Sequence, residues 1–365
     1  PTRRSSDLAA NASVIATVIK NWAATASTSN AGQMTLNTTN FSVDLSASSP
    51  GGAGFTVNHT GSNDLKLTGS GMADTLISGT GFDTLIGGQG NDTYIVKSAS
   101  TVVIEGARAG TDTIASNVTF NIGSIDNVEN LTLLGNDTAA GTGNYLDNLI
   151  TGNSGSNVLS GAAGSDTLYG GIGNDTLTGG VGNDVFVLGG WTQVAGLMWY
   201  TNTDTISDFK QDGADKISLS LNTYTGLVKA GALNANMFWS AKGATQGRNV
   251  SDRIIYDTAT GSLYYDSDGY NPDAPKQATA ELTEKARAGV AAVKIAILDT
   301  GIDYDHRDLK SKVVLNKNFT TSKTASDHNG HGTHVAGIIA GSGVSSAMKR
   351  KAGRLLDALS SVTAV

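Results

Sequence analysis

Short side chains that carry oxygen atoms recur at a fixed spacing in the middle of this 365-residue sequence. From Gly143 to Val187 it reads as five nine-residue units in tandem: GNYLDNLIT, GNSGSNVLS, GAAGSDTLY, GGIGNDTLT and GGVGNDVFV. The sixth position of the units is occupied in turn by Asn148, Asn157, Asp166, Asp175 and Asp184. The eighth is always large and apolar: Ile150, Leu159, Leu168, Leu177 and Phe186. A strict nine-residue period predicts one supersecondary unit that is repeated and stacked.

The composition of each unit indicates the chemistry it can perform. Glycines allow tight turns that expose carbonyl groups. The residues after the carboxylate form a short strand, and stacked strands are roughly 4.8 Å apart. Carboxylates stacked at this spacing repel one another unless a cation lies between them. Calcium takes six to eight oxygen ligands from carboxylates and backbone carbonyls, so a calcium site is predicted. A flexible Gly/Asp linker is the alternative, but a linker has no need for an apolar residue at every ninth position.

A second group of repeats precedes these units. It reads GSNDLKL, GSGMADTLI, SGTGFDTLI and GGQGNDTYI, with carboxylates at Asp64, Asp74, Asp83 and Asp92. The spacing between these aspartates is 10, 9 and 9 residues, so the first turn carries an insertion. The context of Asp83 and Asp92 matches the nine-residue pattern best.

Both groups resemble the RTX (repeats-in-toxin) family of secreted bacterial proteins, whose repeat is G-G-x-G-x-D-x-U-x. The resemblance implies a parallel β-roll with two units per coil and with calcium between the turns. It also implies an extracellular protein that engages type I secretion machinery. On this basis the metal ligands are predicted to be Gly79, Gly81, Asp83, Gly88, Gly90, Asp92, Gly164, Asp166, Gly171, Gly173, Asp175, Gly180, Gly182 and Asp184. Weaker ligands are predicted at Asp64, Asp74, Asn157 and Asp208.

A different chemistry is indicated near the end of the sequence. VKIAILDTG (residues 293–301) is typical of a buried parallel strand that ends in an aspartate, and DHNGHGTHVAGIIAG (327–341) of a loop leading into a helix. LDTGID and HGTHVAG resemble the first two catalytic motifs of subtilases, the subtilisin-like serine proteases. The resemblance implies that Asp299 orients the imidazole, that His331 is the general base, and that Asp308 is a further calcium ligand.

The third subtilase motif, GTS-x-A, is expected downstream but does not occur in the 365 residues. Ser345 and Ser346 lie in the wrong context to replace its nucleophile. Without that serine no acyl-enzyme forms, so the sequence as given is predicted to be inactive as a protease.

The amino-acid composition excludes several other classes of function. The sequence contains 46 glycines, four prolines and no cysteine, which excludes disulfide or thiolate chemistry. The sequence contains no run of 18 apolar residues, so no transmembrane helix is predicted. A formal net charge of −7 gives no indication of nucleic-acid binding. Residues 277–365 nevertheless carry 12 basic against 8 acidic side chains, which indicates that this part has a different origin.

These observations predict a mainly β protein, a β-roll or β-solenoid in two repeat blocks, with a small incomplete α/β subtilase-like fragment. Its parts are predicted as 1–8, an artefact resembling a translated sequencing adaptor or else an ordinary basic N-terminus; 9–57, a helix over 9–29 followed by strands; 58–96, the first repeat block; 97–142, a β spacer; 143–190, the second block; 191–270, a β region like that following the roll in serralysin-type proteins; 271–290, a junction; 291–345, the subtilase-like fragment; and 346–365, a helical tail.

This organisation has three interpretations, of which the sequence favours the first. In the first, a genuine RTX segment is joined near residue 276 to an unrelated subtilase segment, because the β-roll of RTX proteases follows the catalytic domain, whereas here it precedes the subtilase-like fragment. In the second, the sequence is part of a secreted calcium-dependent protease. In the third, the molecule is a calcium-dependent adhesive or structural solenoid.

Overall fold

The computed structural model describes residues 13–50, 52–189, 203–209, 215–221, 223–224, 226–227, 230–267, 269, 277–282 and 295–298. These residues fall into two compact units. Unit 1 holds the described residues up to Leu168 together with 179–182. Unit 2 holds 169–178 and the described residues from Asn183 onward.

Almost all regular structure is β-strand. The strands are β1 (Ser13–Thr17), β2 (Trp22–Ala23), β3 (Gln33–Thr38), β4 (Val43–Asp44), β5 (Phe55–His59), β6 (Lys66–Thr68), β7 (Thr75–Ile77), β8 (Thr84–Ile86), β9 (Thr93–Val96), β10 (Val102–Ile104), β11 (Thr113–Ser116), β12 (Phe120–Asn121), β13 (Asn130–Leu133), β14 (Ala140–Thr142), β15 (Leu149–Thr151), β16 (Val158–Ala163), β17 (Thr167–Tyr169), β18 (Thr176–Val181), β19 (Val185–Leu188), β20 (Asp204–Ile206), β21 (Lys216–Ser220), β22 (Gly231–Ala232), β23 (Phe238–Ala241), β24 (Ile254–Asp257), β25 (Ser262–Tyr265), β26 (Gln277–Leu282) and β27 (Ile295–Leu298). A 3-10 turn, Ala235–Met237, is described alongside them.

Unit 1 is a parallel β-solenoid. Its strands lie in the orders β1-β3-β5-β7-β9-β11-β13-β15, β2-β4-β6-β8-β10 and β12-β14-β16. Consecutive repeats therefore lie in different sheets, and each coil contains two of them. Leu67 pairs with Leu85, and Leu76 pairs with Tyr94, so each residue lies opposite its equivalent two repeats later. This arrangement confirms the predicted β-solenoid.

The eighth-position side chains form the core of the coils. Leu76, Leu85, Tyr94, Ile150 and Leu159 have no solvent-exposed surface. Each short strand points its central residue inward, because side chains alternate along a strand. Burying a side chain of this size contributes about 1.5–3 kcal/mol. The stack of apolar residues therefore explains why the nine-residue period is kept.

Unit 2 combines parallel strands with an antiparallel meander. β18, β20 and β26 run parallel, and β26, β25 and β24 follow antiparallel. β24 and β25 form a hairpin whose turn is the sequence DTATG, residues 257–261. The strand predicted within VKIAIL is present as β27, which pairs in parallel with β21. The predicted junction over residues 271–290 contains β26, which is part of the same sheet.

One secondary-structure prediction is wrong. In place of the helix predicted over residues 9–29, the described residues of this segment form β1 and β2. β1 pairs in parallel with β3 from Ser13↔Gln33 to Thr17↔Asn37. Pairing with the next coil outweighs the local helix propensity of the alanines in this segment. Within the described ranges, the structure contains no helix with the length and apolar character of a membrane-spanning segment.

Candidate calcium-binding turns

The sixth-position side chains form buried rows along the solenoid. Asp74, Asp92 and Asp112 are each at most 2% exposed. The backbone N–H of Asp74 donates to Oδ1 of Asp92, and that of Asp92 donates to Oδ1 of Asp112, both at 2.7 Å. Phe55 N–H donates to Asp74 in the same way at 2.6 Å. Each carboxylate therefore bonds the backbone at the same position one coil earlier.

The glycines of the turns are required by close contact between coils. Gly88 and Gly90 have positive φ angles of 110° and 112°. A Cβ at Gly88 would lie 2.2 Å from the carbonyl oxygen of Ser70 in the preceding coil. A Cβ at Gly90 would lie 2.5 Å from the carbonyl carbon of Met72. Any side chain here would push the coils apart, so backbone oxygens of successive turns stay close together.

Asp64, predicted as a weaker ligand, lies outside the rows. Leu67 pairs with Leu85, so the residue equivalent to Asp83 is Leu65, whose N–H donates to Asp83 at 2.9 Å. Asp64 is exposed and accepts the N–H of Phe82. The longer spacing after Asp64 moves its carboxylate by one position, which turns it from the inside of the turn to the surface.

The two asparagines of the second block provide their own donors. Asn148 donates through its amide nitrogen to the carbonyl of Glu129 and to Oδ1 of Asn144, both at 3.1 Å. Asn157 donates to the carbonyl of Ala139 at 3.2 Å. Amide N–H groups thus occupy carbonyl oxygens in these turns. The weaker ligand role predicted for Asn157 stays a prediction.

Asp83 is paired with a buried histidine that the sequence analysis missed. Nδ1 of His59 lies 3.0 Å from Oδ2 of Asp83, and both side chains are fully buried. Nε2 of His59 lies 3.1 Å from the carbonyl oxygen of Thr39. The N–H of Gly79 also reaches Oδ2 of Asp83, at 2.7 Å. No sequence motif signals this pair, because the two residues belong to different coils and are far apart in the chain.

Asp92 is surrounded by other acids instead. Asp92, Glu105 and Asp112 are all buried, and one oxygen from each lies within 4.8 Å of the others. Burial and the neighbouring negative charges raise the pKa of Asp92 to about 7 and that of Asp112 to about 6. Burial also raises the pKa of Glu105. Oδ2 of Asp92 and Oδ2 of Asp112 are buried and have no hydrogen-bond partner among the described residues.

Unit 2 repeats the carboxylate arrangement. The N–H of Asp175 donates to Oδ1 of Asp204 at 3.1 Å, and that of Asp184 donates to Oδ1 of Asp215 at 3.0 Å. Burial, together with the charge of Asp175, raises the pKa of Asp204 to about 8. Asp208, predicted as a weaker ligand, is half-buried and follows β20.

The oxygen atoms that these turns offer as metal ligands fit calcium. They are carboxylate and carbonyl oxygens, the ligands that hard divalent cations take. The ion pairs His59–Asp83 and Arg248–Asp252 do not involve Asp74, Asp92 or Asp112. Among the described residues, the buried carboxylates of the Asp92 row therefore have no positive side chain to balance them. A bound cation would supply the missing charge.

Comparison with known protein families identifies two segments. Residues 68–96 and 151–186 match the RTX calcium-binding nonapeptide repeat, in four copies. Calcium is thus the ion that these repeats bind. Residues 291–358 match the subtilase family. The subtilase match extends past the boundary predicted at 345 and into the segment predicted as a helical tail.

Individual relatives are serine proteases and a halolysin. An intracellular serine protease of Paenibacillus polymyxa and the major intracellular serine protease of Bacillus subtilis are each 53% identical over 53 residues, or 13% of this chain. Halolysin of Haloferax mediterranei is 39% identical over 108 residues, or 26% of this chain. The chain spans only 16, 17 and 18% of these three proteins, respectively.

The predicted protease residues Asp299, Asp308 and His331 lie outside the described residues. So does the predicted artefact over residues 1–8, and so does the helical tail. These assignments remain predictions.

Proposed function

We propose that this chain is part of a secreted RTX-type protein, and that residues 58–270 fold only when calcium is bound. The buried row Asp74–Asp92–Asp112, which has no basic partner among the described residues, is the observation that carries the proposal. Bound calcium supplies positive charge between carboxylates that otherwise repel one another. The glycine turns hold carbonyl groups of successive coils close enough to complete an oxygen shell.

The free energy of calcium binding is comparable with the stability of a folded domain. Binding to the folded state alone stabilises it by about 2.7 kcal/mol per site at a hundredfold excess over Kd. Several sites in series reach or exceed the usual stability of a domain, about 5–15 kcal/mol. Such a chain stays unfolded where calcium is scarce and folds where it is abundant. That behaviour suits a protein exported through type I secretion machinery to the outside of the cell.

Circular dichroism tests the proposal directly. In EGTA we expect the β-sheet signal to be lost, and millimolar calcium should restore it, while magnesium at the same concentration should not. A β-rich spectrum that is the same with EGTA and with calcium would contradict calcium-coupled folding.

A second candidate function is serine endopeptidase activity, which the subtilase match over residues 291–358 favours. In that function His331 would accept the proton of a nucleophilic serine, and Asp299 would orient its ring. No GTS-x-A motif is present among residues 1–365, so the nucleophile is not provided by this sequence.

A fluorophosphonate probe separates the two functions. We expect the 365-residue chain, loaded with calcium, to remain unlabelled and to leave casein intact. Labelling of Ser345 or Ser346 that disappears in the His331→Ala variant would show instead that one of these serines acts as the nucleophile.

A further inference from the structure

We propose that Asp92, Glu105 and Asp112 bind one calcium ion and thereby fasten the spacer to the first repeat block. Glu105 and Asp112 lie outside the residues that match the RTX repeat, which end at 96 and resume at 151. The site therefore differs from a turn built of repeats alone. It rests on the proposed function in that Asp92 and Asp112 also belong to the buried carboxylate row, and it adds Glu105 as a ligand.

Glu105 occupies a place where the repeat normally has glycine. β10 pairs with β8 so that Val102, Val103 and Ile104 lie opposite Thr84, Leu85 and Ile86. The following residues, Glu105 and Gly106, thus correspond to Gly87 and Gly88 one coil earlier. The spacer keeps the turn but adds a carboxylate to it.

The Glu105 side chain lies in space left by the missing side chain of Gly87. A Cβ on Gly87 would lie 2.2 Å from Oδ2 of Asp92 and 2.6 Å from Oε2 of Glu105. It would also lie 2.1 Å from the hydroxyl oxygen of Tyr94. Glycine at position 87 therefore makes room for three oxygen atoms from three different side chains.

Hydrogen bonds orient Glu105 but leave two aspartate oxygens unmatched. Glu105 accepts the Tyr94 hydroxyl and the N–H of Gly106. In the turns of Asp74 and Asp83, the N–H groups of Ser70 and Gly79 bond the aspartate of the same unit. In the Asp92 turn, by contrast, Oδ2 of Asp92 has no donor within the described structure, and neither has Oδ2 of Asp112.

The size and charge of the cluster suit calcium. Two oxygens that bind the same calcium at 2.3–2.6 Å are separated by at most about 5 Å. The three carboxylates meet that limit with separations within 4.8 Å. Glu129 adds a fourth acid, because its Oε2 accepts the N–H of Asp112 at 2.8 Å. No basic side chain forms an ion pair with any of these four residues in the described structure.

Terbium luminescence provides a local test, because terbium replaces calcium and is excited by a nearby tyrosine. The full 365-residue chain, confirmed as folded by circular dichroism, is titrated with terbium and then with competing calcium or magnesium. We expect tyrosine-sensitised emission that the Tyr94→Phe variant reduces, with the remainder coming from tyrosines at other turns such as Tyr169 near Asp175 and Asp204, and that calcium displaces at much lower concentration than magnesium. Unchanged emission in Tyr94→Phe, or equal displacement by the two ions, would overturn the proposal.

Ion counting provides the second test. Isothermal titration and the dependence of folding on calcium concentration each report the number of bound ions. Glu105→Gln and Asp112→Asn should each bind one calcium fewer than the wild type, whereas the exposed control Glu281→Gln should keep the full number. If Glu105→Gln binds as many ions as Glu281→Gln, Glu105 is only a hydrogen-bond acceptor and the site does not exist.

A repeat-block variant keeps the two proposals distinguishable. Asp175→Asn should weaken calcium binding in the second block but leave the Tyr94-dependent emission intact. A wild-type chain that binds no calcium contradicts both proposals. A wild-type chain that binds calcium, with an unchanged ion number in Glu105→Gln, contradicts only the spacer site.

Discussion

The turns at Asp83 and Asp92 belong to adjacent nine-residue repeats and share the G-x-G-x-D pattern. The side chains that surround their buried carboxylates nevertheless differ in charge. Asp83 faces the buried ring of His59 at 3.0 Å, and backbone N–H groups bond both of its oxygens. Asp92 faces Glu105 and Asp112, and one of its oxygens has no hydrogen-bond partner among the described residues. The Asp83 carboxylate therefore has a basic side chain as its partner, whereas the Asp92 carboxylate lies beside two other acids.

The difference shows that the repeat motif alone does not define how strongly a turn needs calcium. The side chain one coil away decides whether the buried carboxylate is already compensated. The turns at Asn148 and Asn157 represent a third solution, in which amide groups donate to the carbonyl oxygens. The motif predicts equal ligand roles for Asp83 and Asp92, and the structure gives a physical reason to separate them.

The largest expected effect comes from removing the carboxylate of Asp92, with the removal of the Asp83 carboxylate as the comparison. Asp92→Asn should raise the calcium concentration needed for folding on the order of a hundredfold, equivalent to about 2.7 kcal/mol. Asp83→Asn should leave the number of bound calcium ions unchanged, because the turn already has its partner. Calcium titrations followed by circular dichroism measure both variants. Equal shifts in the two variants would remove the distinction between the turns.

Removing His59 should leave the Asp83 turn without a basic partner, as the Asp92 turn already is. His59→Ala leaves the buried oxygens of Asp83 without their side-chain partner, which should cost about 1–3 kcal/mol in the free energy of unfolding. Urea denaturation in saturating calcium measures this loss. Asn58→Ala, on the same strand but pointing to the other face, is the matched control and should change stability much less. A similar loss in both variants would indicate a general weakness of the strand.

The acid-rich turns should make the calcium-free protein sensitive to pH. The pKa of Asp92 is raised to about 7, that of Asp112 to about 6 and that of Asp204 to about 8. The folded state holds these protons more tightly than the unfolded chain, so its stability is present at low pH and is lost as pH rises through about 6–8. In EGTA, β-sheet content should therefore be higher at about pH 5 than at about pH 8. The opposite trend would mean that these carboxylates are charged and compensated without calcium.

The smallest expected effect separates an aspartate turn from an asparagine turn. Asp175→Ala should weaken calcium affinity about tenfold, because it removes a charged oxygen ligand. Asn157→Ala should change affinity little, since its amide already bonds the carbonyl of Ala139. Isothermal titration compares the two variants. Equal losses would place Asn157 among the ligands.

Much of the fold was predictable because the chain repeats. Strands at the predicted places, inward-facing apolar residues at the eighth position and buried side chains at the sixth follow from one local pattern. One prediction failed where the pattern stops, because the Ala-rich N-terminal segment forms β1 by pairing with a later coil. Where the pattern slips, the insertion before Asp74 shifts Asp64 to the surface, and its weaker ligand role stays a prediction.

The sequence by itself determined the period, the apolar core and the oxygen-rich turns, since each depends on residues within one repeat of one another. Only the tertiary structure decided which charges meet. His59 reaches Asp83 from a different coil. Glu105 reaches Asp92 because the pairing of β10 with β8 places it beside Gly87, and Asp112 does so because β11 is in register with β9. The register of stacked coils sets these contacts, and it depends on turn lengths that the nine-residue period does not specify.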